Sequence, residues 1–170
     1  MLFVHIMIVA TVFESPLGIV HVTGNETGVS SISCLRESTS KPRTGSPIPE
    51  PVSAAVDQLL DYFAGKRQTF DFALNPVGTD FQKKVWKALL DVPFGTTLSY
   101  LTLARHLGDE KAIRAVAAAN GRNPLWIVVP CHRIIGSDGS LTGYAGGLWR
   151  KQWLLEHEGA FARSGQLSLF

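Results

Sequence analysis

Cys131 and His132 are adjacent in the segment 123–136, and a thiol beside an imidazole can act as a nucleophile with its own base. The apolar residues 127–129, followed by Pro130, predict a buried strand that ends at the cysteine. Burial alone makes a thiol inert, so reactivity requires a partner that favours the thiolate. Neighbouring side chains in a strand point to opposite faces, so the pair can cooperate only if the chain turns here or a water bridges them. A core cysteine beside a chance histidine is the alternative.

A glycine-rich segment, residues 143–147, follows the cysteine and precedes a predicted helix at 148–157. Its glycines permit a close backbone approach to a flat ligand, and Tyr144 can stack on such a ligand. Glu158 ends the helix and can orient a histidine. An ordinary loop before a helix is the alternative.

Two predicted helices, 100–107 and 110–121, are joined by a turn at Gly108 and can be capped by Ser99 and Asp109. This is a helix-turn-helix candidate, although many helical corners bind nothing. In the second helix, Arg114 lies among small residues, which favours shape-based or minor-groove contact over the reading of base edges. The alternative is that the alanines serve only to stabilise the helix, because alanine has the highest helix propensity.

The elements that must support these residues fall into two predicted domains of an α+β fold, at 1–78 and 79–170. The first is a small α/β domain with strands at 4–13, 17–23, 28–35 and 68–74, an exposed loop at 36–50, and a helix over 52–63. Residues 75–78 form a predicted linker. The second domain is mainly helical and begins with a capping box at Thr79 and Gln82, followed by an apolar face of Phe81, Val85, Trp86, Leu89 and Leu90.

The composition is that of a globular protein, with 170 residues, 45% hydrophobic and 18% charged. Two distant cysteines, Cys34 and Cys131, form neither a disulfide framework nor a zinc motif, so we expect a reducing compartment and no metal. The apolar residues 1–13 are too short to span a membrane and are predicted to be a buried strand. We therefore expect a soluble, cytoplasmic protein.

The charge is uneven along the chain, although the net charge is only +2. Residues 1–80 carry five basic and eight acidic side chains, whereas residues 81–170 carry eleven and six. A basic second half favours attraction to a polyanion such as DNA, but an asymmetry of this size also arises by chance.

Together the motifs resemble the O6-alkylguanine-DNA alkyltransferase family, the methylated-DNA–protein-cysteine methyltransferases. The resemblance runs from Ser15-Pro16-Leu17-Gly18 to Glu158-Gly159 and is densest over 79–159. The segment 129–136, VPCHRIIG, matches the family signature around its acceptor cysteine. Other family positions hold Ser99-Tyr100, Arg114-Ala115-Val116, Gly121-Arg122-Asn123-Pro124, Thr142-Gly143-Tyr144-Ala145-Gly146-Gly147 and Leu154-Leu155-Glu156-His157-Glu158.

The resemblance implies that Cys131 attacks the alkyl carbon on guanine O6 and that each molecule acts once. His132 would act through a water as its base, in the tautomer held by Glu158. Asn123 would hold the cysteine segment against the helix 110–121. Tyr100 would help rotate the nucleotide out, and its hydroxyl would offer a proton as guanine leaves.

The partner implied by the resemblance is double-stranded DNA containing O6-alkylguanine, with O4-alkylthymine as a second substrate and no cofactor. The damaged base must be flipped out, because the alkylated atom lies inside the stack. The protein would act as a monomer that could bind DNA cooperatively. DNA contacts would come from Tyr100, Arg114, Ala115, Ala118, Gly121 and Ser137. The pocket for the alkylguanine would be formed by Pro130, Ile134, Tyr144, Ala145 and Gly146.

Three alternatives belong to other functional classes. A non-repairing sensor of alkylated DNA would lack the acceptor cysteine, whereas Cys131 is present. A cysteine hydrolase would use Cys131 and His132 on a small ester or amide, but no oxyanion motif lies nearby. A helix-turn-helix regulator would need more base-edge donors than residues 110–121 supply.

Overall fold

The computed structural model describes residues 7–35 and 47–161, and residue contacts divide the chain between Val77 and Gly78 into two compact units. The first unit contains an antiparallel sheet and a helix, and the second is mainly helical with one pair of short parallel strands. The α+β class is therefore confirmed. Most of the predicted loop 36–50 lies outside the described residues, and its last residue, Glu50, begins a helix. Within 7–35 and 47–161, no helix is both long and apolar enough to cross a membrane.

The sheet of the first unit consists of three antiparallel strands in chain order, β1 (Val9–Ser15), β2 (Gly18–Asn25) and β3 (Gly28–Leu35). Alternating residues of β2 and β3 are buried, because successive side chains of a strand point to opposite faces. The prediction of a first strand at 4–13 was wrong at residues 7 and 8, which precede β1, and residues 4–6 lie outside the described chain. The strand continues to Ser15, whose hydroxyl closes the turn by donating to the carbonyl of Gly18 at 2.8 Å.

Helix α1 (Glu50–Phe63) packs against this sheet through four fully buried residues at helical spacing, Val52, Ala55, Leu59 and Tyr62. The predicted strand at 68–74 is absent from the structure, apart from one parallel bridge between Val29 and Leu74. The segment is attached to α1 by side chains instead. Gln58 accepts a hydrogen bond from the backbone N–H of Asp71, and the ring of Phe70 lies 5.6 Å from that of Tyr62.

The second unit begins with helix α2 (Asp80–Leu89), and its predicted capping box is confirmed. The Thr79 hydroxyl accepts from the Gln82 backbone at 3.2 Å, and the Gln82 side chain accepts from the Thr79 backbone at 2.9 Å. The buried face is narrower than predicted, since Phe81 and Leu90 are exposed. Trp86 is buried and donates from Nε1 to the carbonyl of Ala119 at 2.9 Å, which anchors α2 to a later helix.

Replacing Thr79 by alanine should lower the free energy of unfolding by about 1 kcal/mol, because it leaves an N-terminal N–H of α2 without its acceptor. Chemical denaturation of the intact protein would measure this change. The control is Thr69→Ala, at an exposed position outside any helix, which should change stability by less than about 0.5 kcal/mol. Equal losses in the two variants would contradict the role of the cap.

Helices α3 (Tyr100–His106) and α4 (Ile113–Gly121) pack together in the predicted helix-turn-helix arrangement. Ser99 caps α3 by accepting from the Thr102 N–H at 3.0 Å. The prediction of a single helix over 110–121 was wrong at its start, where Glu110–Ala112 form a short 3-10 helix. Asp109 caps this tight turn rather than α4, because its carboxylate accepts from the N–H only two residues ahead.

Two short parallel strands, β4 (Leu98–Ser99) and β5 (Ile134–Ile135), connect the start of α3 to the chain just after Cys131. Helix α5 (Leu148–His157) closes the unit with the predicted bounds. Leu154 and Leu155 are fully buried, whereas Trp153 is not. Its ring is partly exposed and stacks on His157 at 4.8 Å.

Candidate active site

The segment before Cys131 is buried but is a turn, so the predicted strand at 127–129 was wrong. Ile127 has a φ of 75°, which a β-branched residue rarely adopts and which no strand contains. Local hydrogen bonds replace the ladder of a sheet, from Val128 N to Trp126 O and from Val129 N to Leu125 O, both at 2.9 Å. The apolar residues thus form a compact support beneath the cysteine.

Asn123 holds this turn together with its side chain. Its Oδ1 accepts from the N–H of Leu125 at 2.9 Å, and its Nδ2 donates to the carbonyl of Val129 at 2.7 Å. The same Nδ2 lies 3.1 Å from Sγ of Cys131 and donates to it. One buried carboxamide therefore fixes both the backbone before the cysteine and the position of the sulfur.

Cys131 begins a short 3-10 helix, Cys131–Arg133, so the chain turns between the cysteine and the histidine. At three residues per turn, successive side chains are about 120° apart rather than opposite as in a strand. The thiol is buried, with the residue only 4% exposed. Burial raises the pKa of Cys131 to about 11, and the hydrogen bond from Asn123 and the charge of Lys151 offset this only in part. The thiol is therefore neutral at pH 7 and requires a base.

His132 and Glu158 form a fully buried pair, with Nε2 of the imidazole 2.8 Å from Oε1 of the carboxylate. Burial lowers the pKa of His132, although Glu158 favours the cation, so the imidazole is neutral and donates from Nε2. Its Nδ1 is then a lone-pair acceptor, and no group in the described part of the chain bonds to it. This nitrogen is free to accept a proton.

Arg133 supports the same carboxylate. It donates from Nε to Oε2 of Glu158 at 2.8 Å, from Nη2 to Oε1 at 3.0 Å, and from Nη1 to the carbonyl of Val92 at 2.6 Å. Burial opposes ionisation of Glu158, but the hydrogen bonds and charges of His132 and Arg133 outweigh it and hold its pKa below the ordinary value. The carboxylate therefore stays charged at neutral pH.

Tyr100 lies near the cysteine at the start of α3, and its hydroxyl donates to the carbonyl of Thr142 at 3.2 Å. Lys151, which is fully buried, donates to the same carbonyl at 2.9 Å and to that of Ile134 at 2.5 Å. Its ammonium also lies 5.7 Å from the centre of the Tyr100 ring. Burial lowers the pKa of Lys151 to about 8 and raises that of Tyr100.

The glycine-rich segment is packed closely against its own unit. The ring of Tyr144 lies 5.6 Å from that of Trp126, and Arg150 donates to the carbonyl of Gly146 at 2.7 Å. A side chain at Gly146 would come within 2.8 Å of the Trp126 ring, so this glycine is required by packing within the protein. Of the other predicted pocket residues, Pro130 and Ile134 are buried and Ala145 is exposed.

The predicted DNA-contacting residues of α4 share one exposed surface, formed by Arg114, Ala115, Ala118 and Gly121. Ser137 is also exposed, in the turn after β5. The opposite face is buried through Val116, Ala119 and Asn120. Ala117, which lies between the two faces, is only partly buried.

Three further residues at this site were not predicted from sequence, namely Asn120, Arg133 and Lys151. Arg133 lies within the PCHR motif, so the motif itself was a usable signal. No sequence signal distinguishes Lys151 from the exposed cations of an amphipathic helix, or Asn120 from a polar residue at a helix end. Their burial follows from tertiary packing alone.

Comparison with known proteins identifies the family. Residues 80–160 match the 6-O-methylguanine DNA methyltransferase DNA-binding domain, and residues 8–76 match the ribonuclease-like domain of the same methyltransferase. The methylated-DNA–protein-cysteine methyltransferase of Mycobacterium bovis is 47% identical over 158 residues, which cover 92% of this chain and 95% of that protein. The protein of the same name from Methanosarcina barkeri is 46% identical over 152 residues, 86% of this chain and 94% of that protein.

Solved structures give the same result. The crystal structure of Mycobacterium tuberculosis O6-methylguanine methyltransferase superposes with a TM-score of 0.79 at 45% identity and covers 93% of this chain and 96% of that chain. The crystal structure of Mycobacterium tuberculosis OGT in complex with DNA superposes with a TM-score of 0.77 at 48% identity. The match covers 88% of this chain and 91% of that chain. The chain therefore belongs to the O6-alkylguanine-DNA alkyltransferase family, the methylated-DNA–protein-cysteine methyltransferases, which are DNA-repair enzymes.

Proposed function

We propose that this protein repairs duplex DNA by moving the alkyl group of O6-alkylguanine onto Sγ of Cys131. The proposal rests on the geometry around Cys131. Its buried Sγ accepts a hydrogen bond from Nδ2 of Asn123 at 3.1 Å, and the next residue in the chain, His132, forms a buried pair with Glu158. The Sγ–carbon bond forms as the carbon–O6 bond breaks. Guanine leaves with the electron pair and takes up a proton, while the thiol proton passes to His132. The product is a thioether, so each molecule acts once.

Activation of the thiol follows from the charges around it. A thiol with a pKa of about 11 supplies almost no thiolate at pH 7, so a local base is needed. His132 supplies that base through Nδ1, with a water carrying the proton from Sγ. Glu158 holds the tautomer and stabilises the imidazolium that forms, and Arg133 keeps the carboxylate ionised. The Tyr100 hydroxyl supplies the proton that the departing guanine requires.

Binding to DNA is proposed for the exposed face of α4, which lies in the minor groove. Its small residues let the backbone approach the groove, and phosphate contacts supply affinity without sequence preference. The reaction requires the nucleotide to leave the stack, and Arg114 fills the space of the flipped base. The flipped base enters the pocket formed by Pro130, Ile134 and the segment 144–146. O4-alkylthymine carries the same alkoxy group and is proposed as a second substrate.

The proposal is tested by the stoichiometry of transfer from a duplex with one O6-methylguanine, followed by intact-protein mass. We expect one methylene of added mass per molecule and no further gain when fresh substrate is added. Continued turnover would contradict the single-use mechanism. Binding to the damaged duplex without a gain in mass would favour a non-repairing sensor, and neither binding nor transfer would favour a cysteine hydrolase.

Replacing Arg114 by alanine should lower the transfer rate on duplex DNA by about 10-fold to 100-fold, because the gap left by the flipped base is no longer filled. On single-stranded DNA, where there is no stack to refill, the same variant should stay within about threefold of the wild type. Single-turnover rates on the two substrates measure the difference. Arg67→Ala, in the other unit, is the matched control and should affect neither rate. Equal losses on both substrates would contradict a role in flipping.

A further inference from the structure

Lys151 is a fully buried cation in α5 that the mechanism above does not use. Its ammonium donates to the carbonyls of Ile134 at 2.5 Å and Thr142 at 2.9 Å. In the part of the chain that the structure describes, none of the ion pairs supplies it with a carboxylate. Lysine is rarely buried without a counter-charge, because carbonyl dipoles replace only part of the hydration that the ammonium loses. The position of this charge therefore needs an explanation.

The charges next to Cys131 do not balance that of Lys151. Arg133 and Glu158 neutralise each other, with Nε of the guanidinium 2.8 Å from Oε2 of the carboxylate. Burial lowers the pKa of Lys151 only to about 8, so the side chain is mostly an ammonium at pH 7. An anion that forms beside it during the reaction would be stabilised, because the cation is already in place and shielded from water.

The phenol of Tyr100 is the group beside Lys151 that can become such an anion. Its hydroxyl donates to the same carbonyl of Thr142 at 3.2 Å, and the centre of its ring lies 5.7 Å from the ammonium. Burial raises the pKa of Tyr100, and negative charge on Cys131 raises it further, so the phenol alone is a poor proton donor. A nearby cation opposes both effects, because it favours the ionised form of the phenol.

We propose that Lys151 is the counter-charge of the phenolate that forms on Tyr100, and that it thereby enables Tyr100 to protonate the departing guanine. The inference rests on the proposed function. In this step the O–H bond of Tyr100 breaks, and its proton passes to the guanine anion, which holds the electron pair of the broken carbon–O6 bond. The phenolate remains beside the ammonium until it takes up a proton from water, while the imidazolium of His132 returns one. Lys151 acts through Tyr100 and is therefore a positioning residue.

The test is a double-mutant cycle on single-turnover methyl transfer from a duplex that contains one O6-methylguanine. Lys151→Met removes the charge at similar length and should lower the rate constant roughly 10²-fold. In a Tyr100→Phe background, where no phenolate can form, the same substitution should change the rate constant by less than about threefold. Lys151→Met should leave binding to the damaged duplex unchanged. Rate constants describe the reacting molecules, so a loss of folded protein lowers the amplitude and not the rate.

A second variant, Lys151→Gln, separates the charge from the hydrogen bonds. Glutamine keeps an amide that can donate to the carbonyls of Ile134 and Thr142, but it carries no charge, so we expect the same loss of rate as with methionine. Lys66→Met makes the same change at an exposed position in the first unit and should react at the wild-type rate.

An equal loss with and without the Tyr100 hydroxyl would overturn the assignment, because Lys151 would then act on the Cys131 thiolate or on the fold. A wild-type rate in Lys151→Gln would also overturn it, since the hydrogen bonds alone would then suffice. Both results would leave transfer to Cys131 intact. If the wild type transferred no methyl group, the proposed function would fail first and this inference with it.

Discussion

Replacing His132 by glutamine should lower the rate of methyl transfer by roughly 10²-fold to 10⁴-fold, the range typical of a lost general base. Glutamine keeps an N–H that can donate to Glu158, whose carboxylate lies 2.8 Å from the imidazole, but it has no basic nitrogen. The thiol would then have to ionise unaided with a pKa of about 11. Single-turnover rates and binding to the damaged duplex would be measured together, and binding should be unchanged.

The matched control is His106→Gln, at an exposed position in the last turn of α3, which should react at the wild-type rate. The pH profile separates two mechanisms. If free thiolate alone reacted, the rate would rise tenfold per pH unit from pH 7 towards 11. Because burial lowers the pKa of His132 from 6.5, the base form persists at and above pH 6.5, and the wild-type rate should rise far less than tenfold per pH unit between pH 7 and 9. A His132→Gln rate within threefold of the wild type would contradict the assignment.

Replacing Glu158 by glutamine should lower the free energy of unfolding by about 3–5 kcal/mol, the cost of breaking a buried ion pair. The carboxylate accepts from both Nε and Nη2 of Arg133, and the variant would leave that guanidinium buried without a counter-charge. Denaturant unfolding at pH 7 measures the loss. Glu110→Gln is the matched control, because Glu110 also pairs with an arginine at 3.0 Å but at the surface, where the pair is worth about 0–1 kcal/mol.

The carboxylate of Glu158 should also make the free energy of unfolding depend on pH. The pKa of Glu158 is lower in the folded protein than its ordinary value of 4.5, so folding favours the ionised form. Its contribution is fully present above pH 4.5 and is lost as the pH falls towards the folded-state pKa. The stability difference between the wild type and Glu158→Gln should therefore shrink below pH 4.5. A difference that is constant from pH 7 down to 3 would contradict the ion pair.

Features determined by local chemistry were predictable from the sequence. The capping box at Thr79, the Ser99 cap and the bounds of α5 depend on residues within one helical turn of each other, and the structure contains all of them. The strands β2 and β3 follow from alternation and from the turns that separate them. The presence of Cys131, His132 and Glu158 at one site was expected from the motif, although no periodicity requires it.

Features determined by tertiary contacts were not predictable. Residues 127–129 have the composition of a buried strand, but the Asn123 carboxamide supplies the hydrogen bonds that a neighbouring strand would have made, and the chain turns instead. The strands β4 and β5 are two residues long, which is too short to show the alternation of apolar and polar residues that predicts a strand. The sequence around Lys151 predicts an exposed cation. The side chain is buried instead, because its ammonium donates hydrogen bonds to the backbone carbonyls of Ile134 and Thr142.

The most direct test of the central claim is the location of the methyl group after reaction with a duplex that contains O6-methylguanine. Peptide mass spectrometry of the reacted protein should find one methyl group on Cys131 and none on Cys34, the other buried cysteine. Cys131→Ser should take up no methyl group, whereas Cys34→Ser should take up one. Methylation of Cys34, or a methyl group acquired by Cys131→Ser, would contradict the account.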